Sequence, residues 1–231
     1  VYRSTKPHAR IVHLDVEEAR RVPGVEGVFT ASDVPGRNLI GLITKDQPLL
    51  ARDKVRFVGD PVALVAAKDE DAAQRAMEAI RVRYEDLPAV FSPREALSPG
   101  APRIHEGGNV LHRRVVRKGD ADSVMAKAAV VVEGTYNTPH IEHTYLEPDA
   151  GCGYLEWDGT LVILASTQNP HYDQKEVADL LGVPEERVRV VQAATGGGFG
   201  SKLDLTVQGF IALALYHLGR PVRLVFSREE A

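Results

Sequence analysis

With 231 residues, one Cys and a formal charge of −4 from 28 basic and 32 acidic side chains, the chain can bury one large core or two small ones at about 150 residues per domain. The charge balance counts against nucleic-acid binding, which needs a clustered Lys/Arg surplus. The single Cys152 excludes an internal disulfide framework, a zinc ribbon and a self-contained iron–sulfur site, each of which needs several thiolates, and it fits a reducing, cytoplasmic setting. No run approaches the roughly 18 apolar residues of a membrane span, and the opening VYRSTKPHARIV lacks the basic-then-apolar layout of a signal peptide. It also lacks an initiator Met, so a cut-down piece of a longer chain is expected.

In chain order, short apolar runs alternate with helical patches, the pattern of mixed α/β or α+β architecture. Ile11 to Leu14 reads as a strand; Asp15 caps a short helix through Glu17, Ala19 and Arg20, which Pro23 and Gly24 end. Val25 to Thr30 is a strand, and Val62 to Ala66 is a buried one. Asp69 is the expected N-cap of a helix over Ala72 to Ile80, and IRVRYEDLP then alternates as a strand with one dry face. From Ser92 to about Gly119, Pro, Gly and charge displace the apolar periodicity, which marks a linker. Asp120 to Lys127 reads as a short helix and AVVVEGTYNT as a strand leading to Pro139. The last hundred residues read as strand Thr160 to Ala165, helix Tyr172 to Leu181, strand Arg187 to Ala193, a glycine loop, helix Leu203 to Leu218 and strand Val222 to Phe226. Gly182 and Gly219 stop the two helices.

The sharpest motif is ATGGGFGSK, between a Val-rich strand and a long helix. Glycines let the backbone approach a ligand and present its N–H groups, and a following helix N-terminus favours an anion. The phosphate loop of nucleotide hydrolases fails here, because Ser201 stands where its second glycine is needed. The dinucleotide fingerprint fails as well, since its last glycine is missing. A plain strand-to-helix turn is the competing reading, although four glycines around Phe199 exceed what a turn requires. In STQNPH, Gln168 could read a polar ligand, while Ser166, Thr167 or Asn169 could simply cap the next helix. His140 and His143, with Glu142 and Glu147 nearby, lack the spacing of a zinc site; hydrogen-bonded or surface histidines are expected, with Tyr145 and Leu146 in the core. Cys152 between two glycines reads as a small buried residue.

Taken in order, KVRFVGDPVALVAAKDEDAAQRAMEAIRVRYEDLPAV (Lys54 to Val90), EHTYLEPDAG (Glu142 to Gly151), STQNPH and TGGGFGSK resemble the molybdenum-cofactor large subunit of the xanthine dehydrogenase and aldehyde oxidase family over nearly the whole chain. The resemblance implies a hammerhead-like α/β domain over residues 1–97 with its start missing, a linker over 98–119, and the first part of a molybdopterin-binding α+β domain over 120–231. It implies a hydroxylase of N-heterocycles or aldehydes that takes its oxygen from water. The cofactor would be a molybdenum-bearing pterin dithiolene, in some relatives a cytosine dinucleotide. Iron–sulfur clusters and FAD would reside on partner domains or subunits.

By match of motif, Gly197, Gly198, Phe199 and Gly200 approach the molybdenum ligands, with the Phe199 backbone N–H nearest the metal, and Gln168 lies by the cofactor. Three departures stand out. The Gln that many relatives carry before Glu-His is Ile141 here, and the acidic residue that follows the loop Lys in purine oxidisers is Leu203. The family's catalytic Glu lies further downstream, so no catalytic residue is expected in this chain and the isolated chain is expected to be inactive. Expected partners are the downstream molybdopterin-binding half or a second subunit, iron–sulfur and FAD subunits, and a small-molecule substrate. Two other readings stay open: an assembly module that keeps the fold without the chemistry, and a nucleotide-binding α/β domain.

Overall fold

The computed structural model describes residues 1–230. It divides into two units, Val1–Ala89 with the chain from His143 onward, and Val90–Glu142. The first unit opens with β1 (Tyr2–Arg3), β2 (Ala9–Asp15), α1 (Glu17–Arg20), β3 (Val25–Thr30), β4 (Lys54–Val55), β5 (Pro61–Ala67), α2 (Glu70–Ala79) and β6 (Arg81–Asp86). These strands form two antiparallel sheets in the orders β1-β5-β3 and β4-β2-β6. The continuous apolar run of β5 follows from its central place, and Pro61 is tolerated because it opens the strand. Asp69 caps α2 as the sequence predicts, its carboxylate accepting the Ala72 N–H at 2.8 Å, and Ala72 and Ala76 are buried.

The second unit holds two short helices, α3 (Pro93–Ala96) and α4 (Ala121–Ala126). Ser92 and Asp120 cap them by accepting the N–H groups of Glu95 and Ser123. The strand expected in AVVVEGTYNT does not form. An apolar β-rich run becomes a strand only where a neighbour takes its N–H and C=O groups, and Val130 and Val132 remain 78% and 89% exposed.

The first unit resumes with β7 (Ala150–Leu155), β8 (Leu161–Ala165), α5 (Pro170–Leu181), β9 (Val188–Gln192), α6 (Val207–Leu218) and β10 (Val222–Val225), in a sheet of order β10-β7-β8-β9. β7 went unread in the sequence because AGCGYL is poor in β-branched residues. Its glycines serve close packing instead: a Cβ on Gly153 would stand 2.7 Å from Ile211 Cγ2 of α6. The cysteine between them faces the other way and is exposed, not buried. Gly182 and Gly219 end α5 and α6 in the left-handed conformation, with φ of 65° and 64°.

α6 is buried from Val207 through Leu215, which accounts for its apolar character on every side. One core joins Phe29 of β3, Leu64 of β5 and the loop residues Leu49 and Leu50 to Ile163 of β8, Leu180 of α5 and Ile211 and Leu213 of α6. Truncating a residue such as Leu213 to Ala would cost about 3 kcal/mol. Among the described residues, no helix is long and apolar enough to cross a membrane.

Candidate functional site

β8 and β9 are parallel neighbours, with Ala165 opposite Gln192, so the segments leaving their carboxyl ends emerge side by side. In open sheets that is where ligands are bound. One segment is Ser166 to Asn169; the other is the glycine loop. They are stitched together where they begin. Ala193 N–H donates to the Ala165 carbonyl at 2.9 Å, and the Gln192 amide donates to the Thr167 carbonyl at 2.8 Å.

The loop is pinned at both ends. At its start the Gly196 N–H donates to Glu147 Oε2 at 2.7 Å, and at its end the Gly200 N–H donates to Gln168 Oε1 at 3.0 Å. Gln168 is held in turn by its own N–H on the Lys202 carbonyl at 2.9 Å. Between the pins the backbone takes unusual angles, φ of 101° at Gly197, 52° at Phe199 and 104° at Gly200. The left-handed angle at Phe199, a residue with a Cβ, is backbone strain. Gly198 needs its missing side chain, because a Cβ there would stand 2.5 Å from Gln168 Oε1. Among the described residues, none accepts a hydrogen bond from the N–H groups of Gly197, Gly198 or Phe199. Three consecutive unpaired donors on a constrained backbone are suited to negatively polarised atoms.

The helix contribution expected from the sequence is absent. Ser201–Leu203 form a single 3-10 turn, the backbone breaks at Asp204, and α6 starts only at Val207. The loop amides therefore stand without a long helix directly behind them.

Beneath the loop lies a network that the sequence did not disclose. Lys202 is fully buried. Its ammonium donates to the Glu147 carbonyl at 3.0 Å, to Glu147 Oε2 at 3.1 Å and to Ser166 Oγ at 2.7 Å, and sits 4.6 Å from the centre of the Tyr145 ring. Ser166 Oγ donates to Glu147 Oε2 at 2.7 Å. Burial pushes the Glu147 carboxyl up, but the bonds from Ser166, Gly196 and Lys202 outweigh it and hold the group below its ordinary value. Tyr145 is buried as expected, its hydroxyl on Asp149 Oδ2 at 2.5 Å, and Arg228 donates to its carbonyl at 2.7 Å. Leu146 departs from expectation and is 92% exposed.

A fully buried carboxylate, Asp173, stands on the first turn of α5. Gln208 of α6 donates to its Oδ2 at 3.0 Å, and the Thr167 hydroxyl bonds to it as well. Burial raises its pKa to about 6. Neither Ser166, Thr167 nor Asn169 caps α5 through its side chain. Ser166 serves the lysine network, and Thr167 Oγ1 accepts the Asn169 N–H at 3.0 Å. His143 is exposed, as are His140 and Ile141 in the second unit. Among the described residues, no three His, Cys, Asp or Glu side chains are grouped to hold a metal ion.

The model of the molybdopterin cofactor-binding domain matches residues 104–231, and that of the aldehyde oxidase and xanthine dehydrogenase a/b hammerhead domain matches residues 1–88. The chain belongs to the xanthine dehydrogenase and aldehyde oxidase family. It is 48% identical over its full length to the nicotinate dehydrogenase large molybdopterin subunit of Eubacterium barkeri, of which it spans 54%. Over 99% of its length it is 35% identical to the xanthine dehydrogenase molybdenum-binding subunit of Escherichia coli O157:H7, of which it spans 32%. Among solved structures, 98% of the chain superposes on the aldehyde oxidoreductase of Desulfovibrio gigas with a TM-score of 0.90 and 32% identity, covering 26% of that chain. Quinoline 2-oxidoreductase of Pseudomonas putida 86 gives a TM-score of 0.87 at 33% identity, over 99% of this chain and 30% of that one. The chain thus spans about a third to a half of these two curated relatives.

Proposed function

We propose that this chain supplies the glycine-loop wall of a molybdenum–pterin site in a larger hydroxylase that oxidises an N-heterocycle or an aldehyde with oxygen from water. The observation that carries the reading is the run of unpaired amides at Gly197, Gly198 and Phe199, held open between two pinned ends. These donors fit the oxygen and sulfur ligands of a high-valent metal, which carry partial negative charge. When bound, the molybdenum–pterin group supplies the two-electron acceptor that no side chain here can provide. The chain's own residues bind and orient. Gln168 commits its oxygen to Gly200 and leaves its amide nitrogen as a donor at the exposed edge of the loop. The Phe199 ring, 75% exposed, offers an apolar surface beside those donors for a flat substrate or the pterin.

Residues 1–97 are read as the hammerhead part, 98–119 as a linker and 120–231 as the start of the cofactor domain. The catalytic Glu, iron–sulfur clusters, FAD and the remaining cofactor contacts are assigned to other polypeptide or other subunits of a cytoplasmic enzyme. The relatives named for nicotinate, quinoline and aldehyde oxidation support this substrate class, and Leu203 in place of an acidic residue counts against a purine.

Metal and pterin analysis of the full-length protein from its native host tests the reading. One molybdenum and one pterin per subunit is the expected result; a folded full-length protein assembled with its partners and devoid of both would overturn it in favour of an assembly module.

A further inference from the structure

We infer that Lys202 and Glu147 form a positioning pair that sets the shape of the glycine loop for its ligand, acting through Gly196. The inference rests on the cofactor reading above.

Lys202 is a fully buried cation whose three donors are all engaged, two on Glu147 and one on Ser166. Glu147 Oε2 gathers Lys202, the Ser166 hydroxyl and the Gly196 N–H on one atom. The return bond, Glu147 N–H to the Gly196 carbonyl at 3.3 Å, makes Glu147 grip both polar groups of that one glycine. Gly196 has no side chain to fix it otherwise, and a Cβ there would stand 2.6 Å from Glu147 Cβ. The unpaired amides begin at the next residue. An ion pair in this place is a poor device for stability alone, since desolvating two charges offsets much of their attraction and a well-packed apolar replacement is often neutral or better. It is a good device for fixing an otherwise free backbone in one geometry. The Glu147 side chain is 34% exposed, so without the ammonium it can turn toward water and release Gly196.

The test uses the full-length protein with Lys202→Met, Glu147→Ala and Glu147→Gln, each examined by amide hydrogen exchange, pterin content and thermal unfolding. Lys202→Met, which strands no cation, is expected to speed exchange of the Gly196 amide by about tenfold or more while α6 keeps its protection, and to lower pterin content; Glu147→Ala is expected to free Gly196 as well, and to loosen α6 with it because the buried ammonium loses its partner. Glu147→Gln keeps an oxygen for Gly196 and is expected to stay within about threefold of the parent. The inference is overturned if exchange of the Gly196 amide is unchanged in Lys202→Met, if α6 and Gly196 speed up together in that variant, or if Glu147→Gln behaves like Glu147→Ala. A parent protein that carries no pterin would defeat the cofactor reading, while the exchange data would still decide the role of the pair.

Discussion

The carboxylates of Glu147 and Asp173 each bond to the segment Ser166 to Asn169, and the protein treats them in opposite ways. Glu147 meets an ammonium, a hydroxyl and a backbone N–H and is kept ionised. Asp173, fully buried, meets the neutral donors of Gln208 and Thr167 and the like charge of Asp204, and burial, with that charge, favours its proton. Glu147, a third exposed, keeps its charge through the Ser166 hydroxyl, the Gly196 N–H and the Lys202 ammonium together, whereas the full burial of Asp173 outweighs its two neutral donors. The charged member stands under the loop that presents its amides to a ligand. The proton-favouring member ties the start of α5 to the start of α6.

Breaking the charged side has the largest expected effect. Glu147→Leu strands the Lys202 ammonium in its buried site and should destabilise the first unit by about 3–5 kcal/mol in urea unfolding. The neutral side has its signature in pH. A carboxyl raised from 3.8 to about 6 binds its proton more tightly folded than unfolded. Its stabilising contribution is complete below pH 3.8 and is lost as pH rises to about 6, a fall of about 3 kcal/mol. Asp60, 1% exposed and raised by burial to about 6 as well, adds a parallel slope. Asp173→Asn should thus remove about half of the fall when unfolding free energy is followed between about pH 4 and 7. Glu147 works the other way: its pKa is lowered, so its contribution is present at neutral pH and lost as acid protonates it below the ordinary carboxylate value.

Gln208→Leu sharpens the contrast at smaller scale. It removes the Nε2 donor to Asp173, should cost about 1–2 kcal/mol at neutral pH, and should move the Asp173 titration to higher pH by nuclear magnetic resonance. The smallest effect is expected at Trp157, 98% exposed between β7 and β8, where Trp157→Ser should change stability by less than about 0.5 kcal/mol.

Much of the fold was legible because its signals are local. The buried run of β5, the Asp69 cap and the glycine stops at Gly182 and Gly219 all sit within a few residues of what they control. The failures share a cause in tertiary context. β7 is a strand because α6 packs on its glycines, which outweighs weak strand propensity. The valines at Val130 to Val132 have the propensity and form no strand pairing. The residues after the glycine loop have helical composition, yet Lys202 turns inward to Glu147 and the helix begins at Val207.

The candidate site divides the same way. The glycine loop and Gln168 announce themselves by motif. The Lys202 network joins residues separated by 55 and 36 positions, so its members carry no spacing signal. Ser166 resembled a helix cap, and Glu147 resembled a neighbour of histidines.

The most direct test of the cofactor role is amide hydrogen exchange on the full-length protein with and without its molybdenum–pterin group. Loading should slow exchange in the peptide from Ala193 to Leu203 and around Gln168, and leave β3 and α1 unchanged. Equal exchange in the glycine loop in both forms, with protection arising elsewhere, would contradict its assignment as the cofactor-binding wall.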